Sequence, residues 1–390
     1  MAFFNFSVPT RILFGAGQLD RLHKQALPGR KALIVISSGR STRANGYLDR
    51  VEEQLRLAGV DFAVYDGVKA NPTRENVMAG AAMAREQGCD FILGLGGGSS
   101  MDCAKAIAVM AANGGDYWDY VSRGTGKGLP LEHKPLPIVA ITTTAGTGSE
   151  ADAWTVITKE DTHEKVGYGN ADTFPALSIV DPELTRSIPP LYTAYQGFDA
   201  LFHSTEGYIN KRASLMSDMY ALKAIELVGK YLVRAVRDGQ DMEAREGMAF
   251  ANTCGGVVMS VASTTSEHSL EHALSAYKYD LPHGAGLLMI SEAYYTHFIR
   301  AHACDDRFVA MAKALGMEKA SEPMDFIKAL VQLQKDCGVY GLKMSDYGIE
   351  RSDLRTYAQN ALTNMANLFL ADRITLTEDD CTAILEASYR

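Results

Sequence analysis

Two periodicities alternate through the first half of the chain. Short runs of bulky, often β-branched residues, KALIVIS (31–37), DFAVYDG (61–67), DFILGLG (90–96), PIVAITT (137–143) and LSIVD (177–181), recur along it. Strand-length runs without a polar face belong to sheets covered on both sides. Between them lie helical stretches such as NGYLDRVEEQLRLAG (45–59) and RENVMAGAAMAREQG (74–88), each ending in glycine, a usual helix stop. Strands alternating with helices predict a parallel sheet with helices on both faces.

The pattern changes after Asp181. DPELTRSIPP carries three prolines within nine residues and reads as a turn or linker. Beyond it the periodicity is helical, as in SLMSDMYALKAIELVGKYLVRAVRDG (214–239) and DRFVAMAKALG (306–316), with few strand candidates. The expected organisation is an α/β domain over residues 1–186 and an all-helical domain over 187–390.

Composition narrows the class. A chain of 390 residues with 47% hydrophobic and 22% charged residues is an ordinary globular protein of two or three domains. A net charge of −9 without a basic block speaks against nucleic acid and anionic membranes as partners. Six scattered cysteines without CxxC spacing fit a reducing, cytoplasmic setting and no cysteine-based zinc site. The N-terminus lacks the basic lead and apolar run of a signal peptide. AFANTCGGVVMSVA (249–262) is too short to span a bilayer and reads as a buried helix.

Two loops carry ligand chemistry. In FILGLGGGSSMDCAKAIAVM a buried strand ends at Leu95, and Gly96, Gly97, Gly98, Ser99 and Ser100 lead into a helix. Glycines permit close backbone approach, and the free N–H groups at a helix start favour an anion. The reading is a pyrophosphate cradle; the plainer alternative is a glycine-rich turn with serine N-caps. AITTTAGTGSEAD (140–152) follows another buried strand and offers Thr143, Thr144, Thr147 and Ser149. Two such loops at the carboxyl ends of neighbouring strands point to a dinucleotide.

The helical half holds EHSLEHALSAYKYDLPHG (267–284), with His268 and His272 four apart and His283 after a proline. Upstream, GFDALFHSTEGY places Asp199 and His203 four apart, on one helix face. Two helix faces and one turn are expected to converge on a divalent cation, Fe²⁺ or Zn²⁺. His23, His133, His163, His297 and His302 are read as ordinary buried or surface histidines. HSLEH also fits the His-x-x-Glu-His peptidase pattern, with Glu271 as base for water. That reading leaves the cradle, Asp199, His203 and His283 without a role.

GGGSSMDCAKAIA, TTAGTGSE, DPELT, FDALFHSTEGYI and HSLEHALSAY…LPHGAG together resemble, in order, the segments of the iron-containing (group III) alcohol dehydrogenases. The resemblance implies the fold shared with dehydroquinate synthase, a dinucleotide-binding α/β domain followed by a helical domain. It implies Asp199, His203, His268 and His283 as metal ligands, usually for Fe²⁺ and sometimes Zn²⁺, and His272 near the substrate. It also implies Gly96, Gly97, Gly98, Ser99 and Asp102 at the pyrophosphate, Thr143, Thr144, Thr147, Ser149 and Lys165 as further cofactor contacts, and Asn71 on the adenine side. Several NAD-preferring relatives carry Asp where Gly39 stands. With Gly39 followed by Arg40 and Arg43, NADP(H) is favoured over NAD(H).

The implied activity is hydride transfer between a small alcohol or aldehyde and a nicotinamide, with a dimer or larger assembly. A polyol or glycerol dehydrogenase, or a metal- and NAD-using lyase such as dehydroquinate synthase, is the alternative on the same fold. From another class, the alternative is a non-catalytic metal-binding scaffold.

Overall fold

The computed structural model describes residues 4–390. The chain divides into two compact units: one comprises Val8–Thr144 and Gly148–Ser187, the other Ile188–Arg390 with Ala145–Thr147 and the segment ending at Ser7.

The α/β unit is built on six parallel strands: β1 (Arg11–Phe14), β2 (Lys31–Ser37), β3 (Asp61–Val68), β4 (Phe91–Gly96), β5 (Ile138–Thr142) and, last in sequence, Leu177–Val180. Between β5 and that strand comes an antiparallel hairpin of β6 (Thr155–Lys159) and β7 (Glu164–Tyr168), so the last strand is β8. The sheet order is β1-β8-β5-β4-β2-β3. From β2 the chain steps to β3 on one side and returns to β4 on the other. The carboxyl ends of β2 and β4 therefore flank a topological switch point, where open α/β sheets bind ligands. Strands β4, β5 and β8 are buried throughout, as their unbroken apolar runs require.

Three helices connect these strands: α1 (Tyr47–Leu57), α2 (Arg74–Glu86) and α3 (Gly98–Ala112). The first two end on Gly59 and Gly88 in left-handed conformations, at φ 69° and 64°. The apolar face of α1, with Leu48, Val51 and Leu55, joins Ile34, Phe91, Leu93, Val139 and Ile179 in one core. Asp181 does more than end a strand. Its carboxylate accepts from Glu183 N, opening the short 3-10 turn Pro182–Thr185, and from Gly17 N and Leu19 N.

The helical unit contains no strand among the described residues. Its principal helices are α4 (Pro190–Ile209), α5 (Leu215–Arg237), α6 (Met242–Val261), α7 (Ser266–Tyr277), α8 (His283–Arg300), α9 (Asp305–Ala314), α10 (Met324–Asp336), α11 (Leu354–Asn364) and α12 (Glu378–Ser388). Pro190 occupies the first turn of α4, where a missing N–H costs nothing. Ser214 starts α5 with a capping box to Ser217. One apolar core, including Phe198, Phe202, Leu232, Tyr295 and Phe326, joins these helices. No helix among the described residues is long and apolar enough to cross a membrane.

Three expectations shift. Strand β1 is absent from the hydrophobic pattern because it is short and partly exposed, and the β6–β7 hairpin because its buried positions include polar Thr155, Thr158, Glu164 and Lys165. Residues 145–147 leave the α/β unit for the helical one, since Ala145 N bonds to Gln196 Oε1 of α4. His283 is the first residue of helix α8, with Pro282 as its N-cap, rather than part of a free turn.

Candidate metal and cofactor sites

Helix α4 carries Asp199 and His203 one turn apart, α7 carries His268 and His272 one turn apart, and α8 opens on His283. These spacings aim each pair from a single helix face. The Nε2 atoms of His203, His268 and His283 lie 3.6, 3.6 and 3.5 Å from Asp199 Oδ1. Asp199, His203 and His268 are each at most 5% exposed. The His203 and His268 rings stack with centroids 4.6 Å apart, and His283 lies 5.3 Å from His268.

The glycine after His283 makes this convergence possible. A β-carbon on Gly284 would stand 2.3 Å from the Tyr195 carbonyl oxygen on α4, so only glycine lets the start of α8 come this close.

Each of the three imidazoles is held from behind. His203 Nδ1 donates to the Gly146 carbonyl at 3.1 Å, His268 Nδ1 to Glu206, and His283 Nδ1 to Glu271. Every ring thus presents Nε2 toward Asp199. Asp199 Oδ1 and His268 Nε2 are buried without a hydrogen-bond partner. Orphaned buried polar atoms are costly, and one carboxylate oxygen with imidazole nitrogens is a donor set that fits a divalent cation.

Charge states agree with that fit. Burial alone would raise the Asp199 carboxyl, but His203, His283 and His268 hold it well below the usual range. Burial drives His203 down to about 3, so its ring is neutral. Burial also opposes protonation of His268, but Glu206 and Asp199 outweigh it and push that imidazole up to about 10. A cation at the orphaned Nε2 would take the place of that proton.

His272 shares a second tight grouping, its ring nitrogen within 4.8 Å of ligand atoms of Glu271 and His283. Glu271 is fully buried and its carboxylate accepts from His283 Nδ1. Glu206 was not among the residues singled out from the sequence. Its signal was a carboxylate one turn beyond His203, on the same helix.

In the α/β unit, β4 ends at Gly96 with φ 148°, a conformation that favours glycine. A β-carbon on Gly97 would meet Thr144 Cγ2 at 2.9 Å, so strand end and loop approach closely. Gly97 is the N-cap of α3 and no side chain caps the helix, which leaves its leading N–H groups for an anion. Ser99 and Ser100 lie inside the first turn rather than capping it. The Ser99 hydroxyl donates to the Ala70 carbonyl, tying the turn to the loop that carries Asn71. Thr144 Oγ1 is buried without a hydrogen-bond partner, and Thr143 N donates to Gly96 O at 2.9 Å. Backbone donors, a hydroxyl without a partner and a turn stripped of side chains fit a phosphate group.

Other residues matched to the cofactor are engaged by protein. Asp102 accepts from Ser149 Oγ at 2.7 Å and from Val156 N at 2.9 Å. Lys105, fully buried, donates to Ser149 Oγ, Asp152 and the Trp154 carbonyl. This network fixes loop 149–156 to α3. Lys105 escaped notice in the sequence because it lies in an apolar helical run. Lys165 is buried on β7, near enough for its charge to act on Asp102. Thr147 belongs to the helical unit and Thr143, Thr144 and Ser149 to the other.

At the end of β2, Ser38, Gly39, Arg40 and Arg43 line a cleft of about 440 Å³ together with Asp66. Gly39 brings no carboxylate, but Asp66 does, and Arg43 pairs with it at 2.8 Å.

Comparison with known proteins agrees with this arrangement. Residues 9–182 match the family described as iron-containing alcohol dehydrogenase, and residues 193–389 match its C-terminal family. The chain is 36% identical over 390 residues to alcohol dehydrogenase 4 of Schizosaccharomyces pombe, covering 98% of this chain and 88% of that protein. It is 33% identical over 371 residues to the NAD-dependent methanol dehydrogenase of Bacillus methanolicus, covering 93% and 94%. The solved structure of an archaeal halo-thermophilic alcohol dehydrogenase from a Red Sea brine pool superposes with a TM-score of 0.94 at 32% identity, over 100% of this chain and 99% of that one. The chain belongs to the iron-containing alcohol dehydrogenases and is, with them, a metal- and nicotinamide-dependent oxidoreductase.

Proposed function

We propose that Asp199, His203, His268 and His283 hold the catalytic cation, Fe²⁺ or alternatively Zn²⁺, for oxidation of a small alcohol and reduction of its aldehyde. The observation that carries this reading is the set of three Nε2 atoms facing one buried, partnerless carboxylate oxygen. When bound, the cation supplies Lewis-acid polarisation of the substrate oxygen, and the nicotinamide accepts or returns hydride. The backbone N–H groups of Gly98 and Ser99 anchor the cofactor's pyrophosphate beside Thr144, and Asn71 lies toward its adenine. His272 is the group that takes the alcohol's proton and returns it in the reverse direction.

His268→Ala is expected to lose bound metal and turnover together. His272→Ala is expected to lower turnover by roughly 10²-fold or more while metal stays near stoichiometric. Full metal and full turnover in His268→Ala would refute the ligand assignment, and loss of metal in His272→Ala would make that residue a ligand.

For the cofactor we favour NADP(H) over NAD(H). Gly39 offers no carboxylate to the ribose hydroxyls, and Arg40, exposed and without an ion pair among the described residues, is available to a 2′-phosphate. Initial rates with NADH and NADPH decide the point; a clear preference for NADH overturns it.

A further inference from the structure

We infer that Glu206 and Glu271 are positioning residues that hold His268 and His283 by Nδ1 and so fix which nitrogen each presents to the cation. The inference rests on the metal reading above and extends it to residues that would not touch the metal.

Both carboxylates are fully buried, where an unpaired charge is not tolerated. Each is turned onto an imidazole Nδ1. Glu206 comes from α4, three residues past His203. Its second oxygen accepts from Thr265 N at 2.7 Å and from Thr265 Oγ1 at 2.9 Å, at the start of α7. It therefore sets both the ring of His268 and the helix that bears it. Glu271 reaches from α7 to the first residue of α8 and joins the two histidine-bearing helices. The third imidazole, on His203, has only a peptide carbonyl behind it.

Two consequences follow. An acceptor behind Nδ1 keeps its proton there and leaves the Nε2 lone pair for a cation. With Asp199, the two glutamates also place three negative charges around a site for two positive ones. That excess makes the rings better donors and resists loss of the cation. The HSLEH motif is thereby accounted for without a peptidase: Glu271 orients a ligand instead of activating water.

The test uses the full-length protein, stripped of metal and titrated with Co²⁺, following affinity, stoichiometry and the visible ligand-field bands. Wild type is expected to bind one Co²⁺. Glu271→Gln and Glu206→Gln, checked for native circular dichroism, are expected to bind Co²⁺ roughly 10- to 100-fold more weakly, with shifted bands. The control is Glu267→Gln. Glu267 is an equally buried carboxyl one turn before Glu271 that makes no hydrogen bond to an imidazole; its variant is expected to stay within about twofold of wild type. A variant-free arm uses ¹⁵N-histidine-labelled, Zn²⁺-loaded protein, where the ligand rings are expected to carry their proton on Nδ1.

Folded Glu206 and Glu271 variants with wild-type affinity and unshifted bands would overturn the inference. So would ligand rings protonated on Nε2. A second Co²⁺ in wild type that disappears in Glu271→Gln would also overturn it, by making Glu271, His272 and His283 a cation site of their own. The parent reading fails separately, if Asp199→Asn binds Co²⁺ as tightly as wild type.

Discussion

At the residue scale, the informative groups are charged side chains placed where water does not reach. Asp372 is one. It is fully buried, and burial, reinforced by Glu206, pushes its carboxyl up to about 7 from an ordinary 3.8, against hydrogen bonds from Ser266 and Tyr294. An acid with a raised folded pKa keeps its proton longer in the folded chain. Stability is therefore lost as pH rises between about 4 and 7, with a slope of about 1.4 kcal/mol per pH unit from this group, and no further above. Asp372→Asn removes that loss. Its melting temperature should match wild type near pH 4 and exceed it at pH 8; an equal gap at both would refute the assignment. Asp66 poses the opposite problem, an exposed carboxylate in the cleft beside Gly39 that engages Arg43. Asp66→Asn frees the guanidinium and removes a charge that repels a 2′-phosphate. The ratio of kcat/KM for NADPH over NADH should rise by roughly two- to fivefold, the scale of one exposed charge pair.

At the element scale, the candidate metal site depends on how closely three helices pack. His283 reaches Asp199 because α8 starts against the backbone of α4, with Gly284 at the contact. Gly284→Ala forces a methyl group onto the Tyr195 carbonyl, and a peptide backbone yields less than a side chain. The expected cost is about 1–3 kcal/mol, the range for overpacking a filled site. Because the displaced element carries His283, metal content should fall along with the melting temperature. A variant with lower stability but wild-type metal content would show that the contact supports the fold alone. Capping offers a contrast. The Ser214 hydroxyl accepts from Ser217 N at the start of α5, which bears none of the site residues. Ser214→Ala should cost about 1 kcal/mol in thermal unfolding and leave metal binding unchanged.

At the scale of the molecule, the sequence is legible where one force dominates. Strands β2, β4, β5 and β8 are read to within a residue or two because burial on both faces leaves an unbroken apolar run, and edge strand β3 because Phe62, Ala63 and Val64 keep such a run despite partial exposure. Helices α1 and α2 are equally plain, since Gly59 and Gly88 end them in conformations other residues avoid. Strand β1 escapes because partial exposure blurs its pattern, and the hairpin because polar Thr155, Thr158, Glu164 and Lys165 occupy buried positions. In the candidate site, Asp199 with His203 and His268 with His272 stand out by helical spacing and His283 by its place after a proline, while the choice of four ligands among the five comes from the family resemblance. The groups behind them do not stand out. Glu206 resembles a surface glutamate and Glu271 a peptidase base until α4, α7 and α8 are packed, and the Gly146 carbonyl carries no side-chain signature at all. The same packing predicts how the whole protein answers metal. Three helices of one unit bring three imidazole nitrogens to one buried carboxylate oxygen, a donor set that a cation would complete. A ligand that binds only the folded form stabilises it by about 2.7 kcal/mol at a hundred times its Kd. Stripping the protein with a chelator should therefore lower its melting temperature, and adding Fe²⁺, Zn²⁺ or Co²⁺ should restore it in a concentration-dependent way. Asp199→Asn should abolish the response to metal. If Asp199→Asn still melts higher with each added cation, the stabilising site lies elsewhere in the chain.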